Sequence, residues 1–157
     1  MNRKSRILFL LWCAVIFFNS CTNPPCENTA GVKVNLGFYH FNGKTLKDTL
    51  IDSLSIYLVN GSSTLYRNGT EGEIDTISLP LSIVNDSSAF VFQFRSKERD
   101  TLTFRYTQYL KLVSHECGFV TYYNITGCET TRHQIDSVWV RKDLVEYGDD
   151  ENIKIYF

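Results

Sequence analysis

The chain has 157 residues, 43% of them hydrophobic and 14% aromatic, and a formal charge of −1. That length suits one domain of about 100–200 residues, and so much apolar surface excludes a disordered chain. The mild acidic balance gives no footing for nucleic acid, which is held by basic faces.

The N-terminus comes first. Arg3, Lys4 and Arg6 form a positive segment, and Ile7–Phe18 is an apolar run. A run of about a dozen residues has signal-peptide length, whereas a spanning helix needs about 20. An uncleaved membrane anchor is the alternative. No A-x-A-like site follows; instead comes Phe18-Asn19-Ser20-Cys21. This resembles a lipobox, the cleavage site of lipoprotein signal peptidase. The small Ser20 fits, while Phe18 and Asn19 depart from the usual Leu-Ala/Ser pair, as in the looser versions of Bacteroidota lipoproteins. Cys13 is a poor rival because bulky Trp12 precedes it. The resemblance implies lipidation at Cys21, with the several acyl chains that stable anchoring requires. It also implies a place in the cell envelope. No acidic run follows Cys21, which favours the outer membrane's periplasmic face over surface display. Residues 1–20 are thus read as signal, 21–30 as a tether stiffened by Pro24-Pro25, and 31–157 as one domain. Loss of the three leader cations takes the charge from −1 to −4.

In the domain, apolar residues alternate. The rows are Val32, Val34, Leu36, Phe38; Leu54, Ile56, Leu58; Ile77, Leu79, Leu81; and Phe90, Phe92, Phe94. They continue as Leu102, Phe104, Tyr106; Phe119, Thr121, Tyr123, Ile125; Ile135 with Trp139; and Ile153, Ile155, Phe157. Period two is the mark of strands buried on one face. Asn42-Gly43, Asn60-Gly61 and Asn68-Gly69 suit hairpin turns. Asn85–Ser88 and Ser96–Asp100 are further separators. Pro80 predicts an edge strand or bulge, and Arg141–Tyr147 has room for one helical turn. The expected fold is all-β, an antiparallel β-sandwich of Ig-like, Greek-key or meander type, with little helix. The terminal Ile153–Phe157 segment looks like the last strand of a membrane barrel, but strands shorter than about 9–11 residues oppose that reading.

After Cys13 and Cys21, three cysteines remain: Cys26, Cys117 and Cys128. Export predicts one disulfide and one leftover thiol. An extended strand over 119–125 would hold Cys117 and Cys128 about 20 Å apart, so Cys26–Cys117 is the favoured pair. The rival is a zinc site of Cys117, Cys128 and His133, joined by His115 or Cys26; its irregular spacing argues against it, and neither metal nor cofactor is expected.

Motifs for hydrolases, metalloproteases and phosphate loops are missing. Ser114-His115-Glu116 holds triad residue types, but strand neighbours point to opposite faces. His40 and His133 are lone histidines, and Gly148–Asn152 reads as an acidic turn rather than a calcium loop. Tyr39, Tyr57, Tyr122 and Tyr156 fall opposite the core rows, either as a binding face or lining a second sheet. Five Asp-Ser/Thr-apolar tripeptides are similar to Bacteroidota O-glycosylation acceptors, at Thr49, Ser53, Thr76, Thr101 and Ser137. Asp and Ser/Thr also cap turns, which explains them equally.

The chain resembles a family of small uncharacterised Bacteroidota lipoproteins. The marks are Cys21 with Cys26 close behind, Val34–Phe41, Ile77–Leu81, and above all Val113-Ser114-His115-Glu116-Cys117-Gly118-Phe119. The family is a domain of unknown function, so the resemblance implies location and fold but no activity. The expected role is a non-enzymatic binding or envelope-assembly module, with the membrane and an envelope protein as partners. The alternatives are a carbohydrate- or ligand-binding module, and an enzyme with a site near His115 or His133.

Overall fold

The structure is a computed structural model, and it describes residues 31–42, 45–48, 51, 53–59, 64–67, 74–115 and 117–157. The described residues form eleven strands: β1 (Lys33–Asn42), β2 (Thr45–Asp48), β3 (Ser55–Leu58), β4 (Thr64–Arg67), β5 (Thr76–Pro80), β6 (Ser87–Gln93), β7 (Arg99–Ser114), β8 (Gly118–Thr130), β9 (Ser137–Val140), β10 (Leu144–Val145) and β11 (Ile153–Tyr156). Of these, β2, β4 and β10 lie outside the eight alternating rows. No helix is present among the described residues. The turn expected over Arg141–Tyr147 is a loop with short β10 in it, because Leu144 and Val145 pair with Asn124 and Tyr123.

The strands make two sheets. The first runs β2-β1-β11-β9, with β5 also on β1; the second runs β10-β8-β7-β6-β3-β4. Both sheets are mostly antiparallel, and together they enclose one core, as a β-sandwich does. The exception is β1 with β11, which pair in parallel from Leu36↔Ile153 to Tyr39↔Tyr156. Parallel neighbours need a long connection, and first and last strands have nearly the whole domain between them. β5 pairs β1 from Lys33↔Pro80 to Gly37↔Thr76 and is an edge strand, as Pro80 predicts.

The inward rows are buried as their period requires: Val34, Leu36, Phe38, Phe90, Phe92, Leu102, Phe104, Ile153 and Ile155 have no more than traces of exposure. Burying each such side chain contributes about 1.5–3 kcal/mol. Phe157 joins the sheets, with its ring 6.0 Å from Phe38 and 5.6 Å from Phe94. Three row members face out instead: Leu58, Phe119 and Trp139. For Trp139 the cause is a change of parity. Ile135 lies in the loop before β9, so Val138 and Val140 turn inward and Trp139 turns out.

Candidate functional site

The strands were expected to be short, but β7 has 16 residues and β8 has 13. β6 stops pairing at Ser87↔Arg105, and β10 reaches β8 only at Tyr123 and Asn124. Residues 107–114 and 118–122 therefore continue as a two-stranded ribbon past the sandwich, with no further strand beside them among the described residues. Cross-strand partners share a face. Leu110↔Thr121 and Leu112↔Phe119 thus lie on the core-side face, extended beyond the core. There Leu110 is 68% exposed, Leu112 48% and Phe119 66%. The opposite face carries Tyr109 and Lys111 over Tyr122. Tyr122, which falls opposite the core rows, is buried beneath them and against Tyr147.

The loop between β5 and β6 completes the apolar face. Ile83 and Val84 at its tip are 68% and 82% exposed. Ile83 and Leu110 face each other across a cavity of about 430 Å³, also lined by Gln108, Tyr109 and Thr121. Two buried tyrosines fix this loop. The Tyr106 hydroxyl donates to Ser82 O at 3.1 Å and lies 2.7 Å from Ser88 Oγ, and Tyr123 donates to Leu81 O at 3.2 Å. Ser88 Oγ in turn accepts from Ser82 N–H.

A second, polar cleft of about 210 Å³ lies on the first sheet, between Asn35, Leu36, Thr76, Ile77, Ser78, Asp149 and Glu151. Its acidic wall is structural. Asn152 is buried and accepts from Asn35 N–H while donating to Lys142 O and Leu144 O. Asn35 donates to Gly148 O and Asp150 O. Lys142 bridges Glu146 and Asp150, and those hydrogen bonds raise the lysine's pKa and lower that of Asp150. Glu151 accepts from the Tyr39 hydroxyl at 2.6 Å and lies 3.6 Å from Arg141 and 3.8 Å from Lys154. Its seat exists because residue 37 is glycine: a Cβ there would stand 1.8 Å from Glu151 Oε2. Tyr39 and Tyr156 pack at 5.9 Å beside this cleft, with Lys154 over the Tyr39 ring. Both are half-buried, as is Tyr57.

The histidines do not converge. His115 is exposed in the ribbon's turn, where Ser114 Oγ accepts from Cys117 N–H rather than serving a triad. His133 sits near the other end of β7, beside Asp100 at 3.1 Å. About 15 residues of strand at about 3.3 Å each separate the two places, so the two histidines do not share a site. His40 lies 2.8 Å from Phe157 O.

Asp100 is the most committed polar group, and the sequence reading missed it. It is fully buried in β7. Oδ1 accepts from Thr131 Oγ1 and His133 N–H, and Oδ2 from Gln134 and Ile135 N–H, at 2.7–2.9 Å. Burial pushes its pKa up, but the N–H groups of Gln134, Ile135 and His133 and the Thr131 hydroxyl outweigh that and leave it lowered. Its place in a repeated Asp-Thr-Leu tripeptide hid this role.

Cys128 is a free cysteine inside β8 opposite Phe104, and burial pushes its thiol up to about 12. Cys117 lies at the far end of β8, in the ribbon's turn, so the two cannot pair or share a metal with His133. Cys117 is not a free thiol and has a partner. Cys21 and Cys26 lie outside the described residues, as does Thr49. Among the other acceptor candidates, Thr76 and Ser137 are exposed at strand starts, and Thr76 donates to Asp75. Ser53 is half-buried at φ 55°, and Thr101 is half-buried within the second sheet.

The model of one protein family, described as a family of unknown function (DUF6452), matches residues 53–157. The match takes in β3–β11, including Ile77–Leu81 and the Val113–Phe119 run, and starts after β1. No curated protein and no solved structure matches the chain.

Proposed function

The chain belongs to the DUF6452 family of unknown function, and from that premise we propose an exported, lipid-anchored module of the cell envelope that works by contact rather than catalysis. In this reading residues 1–20 are removed, Cys21 carries the lipid, 21–30 is the tether and Cys26 pairs with Cys117. The outer membrane's periplasmic face is its place. One observation carries the contact role: one face of the ribbon, with the Ile83 loop, holds five large apolar side chains in solvent, and such faces mark interaction sites. Two polar side chains with chemical potential are engaged structurally, Asp100 in fixing a loop and Ser114 in closing a turn.

The test is crosslinking in the native envelope followed by mass spectrometry. The reading predicts a membrane-fraction protein, a lipid mass on the Cys21 peptide, a Cys26–Cys117 link and crosslinks that map to 107–122. A soluble protein with unmodified Cys21 would contradict it. The same spectra show whether Thr49, Ser53, Thr76, Thr101 or Ser137 carries a glycan. A carbohydrate-binding reading has its own observation: Trp139, 55% exposed, lies in register with Lys154 on the face that holds Tyr39 and Tyr156. It predicts glycan-array binding that Trp139→Ala abolishes; an array with no signal dismisses it.

A further inference from the structure

We propose that the apolar face of Ile83, Val84, Leu110, Leu112 and Phe119 seats in the interface of the bilayer that holds the chain's own anchor. This rests on the lipid-anchored reading above and names the partner of the contact surface. The geometry that points to lipid is the exit of the tether. Lys33 pairs with Pro80, so the start of β1 lies beside the end of β5, where the chain turns into the Ile83 loop. Gly31 and Val32 thus emerge at the end of the sandwich from which the apolar face projects. Ten residues, 21–30, connect that point to the lipid, a span of at most about 36 Å. A pairing of Cys26 with Cys117 would bring the ribbon's turn within five residues of the lipidated position.

A surface so close to an anchor meets the bilayer at high effective concentration, in the millimolar range for a short tether. A modest apolar contact is then enough to hold it there. The side chains suit the interface. Phe119 and its four aliphatic neighbours offer area for the headgroup–acyl boundary. Tyr109, 43% exposed on the ribbon's other face, has the amphipathic ring found at that level. Lys111 stands 5.1 Å from the Tyr122 ring, and its long stem lets the ammonium reach lipid phosphates. The loop and ribbon are held as one surface by Tyr106 and Tyr123, so both meet the membrane together.

The experiment uses the full chain, processed by its own host, with Trp12→Phe and Trp139→Phe removing the native indoles and Phe119→Trp placing one on the ribbon. It is reconstituted in phosphatidylethanolamine–phosphatidylglycerol vesicles, with and without brominated acyl chains. We expect loss of indole emission in brominated vesicles, and recovery when Leu110→Glu and Leu112→Glu are added while the protein still floats with the vesicles. A floating chain with lipid on Cys21 and an unquenched indole would overturn the seating and leave the anchor intact. An unquenched indole whose emission shifts with protein concentration would assign the face to a second copy. A chain that does not float and has unmodified Cys21 would overturn both readings.

Discussion

Asp100 shows how one side chain can organise a connection. The segment after β8 has no regular partner for the N–H groups of His133, Gln134 and Ile135, and the carboxylate supplies it. Removing a charged acceptor leaves buried donors unsatisfied, so Asp100→Ala should cost about 3 kcal/mol or more in a denaturant titration. The pH dependence has a definite sign. A lowered folded pKa gives stability that is fully present above the ordinary carboxylate value of about 3.9 and is lost as pH falls through the folded value. Wild-type protein should therefore weaken on acidification below about pH 4, and Asp100→Asn, weaker throughout, should lose that part of the dependence. Gly37 offers a steric counterpart. Gly37→Ala should displace the Glu151 carboxylate from Tyr39 at a cost of about 1–3 kcal/mol, read as a lowered thermal midpoint.

Among the elements, β7 and β8 carry the distinctive feature. Their roots and their outer ends should respond in opposite ways to substitution. Phe104→Ala, in the core, should destabilise by about 3–5 kcal/mol, while Leu110→Ser on the ribbon should stay within about 0.5 kcal/mol. Tyr106→Phe should cost about 1–2 kcal/mol and raise hydrogen exchange in the Ile83 loop, since Ser82 O and Ser88 lose a partner. Period two made most of the sandwich readable in advance: Val34 through Phe38, Phe90 through Phe94 and Leu102 through Tyr106 face inward as written. It could not separate a residue facing the core from one facing the same way beyond it. Phe119 therefore read as core. A signal was present, for 101–113 has no turn former across a span longer than one core needs, about 5–6 residues. Asp100 was hidden for another reason, since its value depends on donors about 30 residues away that spacing does not reveal.

At the scale of the molecule, the sheet order puts the domain's entry, the Ile83 loop and the ribbon's root at one end. β1 enters beside β5, β5 leads into the loop, and Tyr106 and Tyr123 tie that loop to β7 and β8. A tether at residues 21–30 would then present the apolar face to the membrane and leave the Tyr39–Tyr156 face of the first sheet to the surroundings. That orientation depends on one covalent modification. The most direct measurement is fractionation of host cells carrying the native chain or Cys21→Ala, with the intact mass of each. Native chain in the membrane fraction, with mass equal to residues 21–157 plus lipid, and Cys21→Ala released or left unprocessed, is the predicted result. Native chain recovered as soluble protein with an unmodified Cys21 would contradict the anchored module at its foundation.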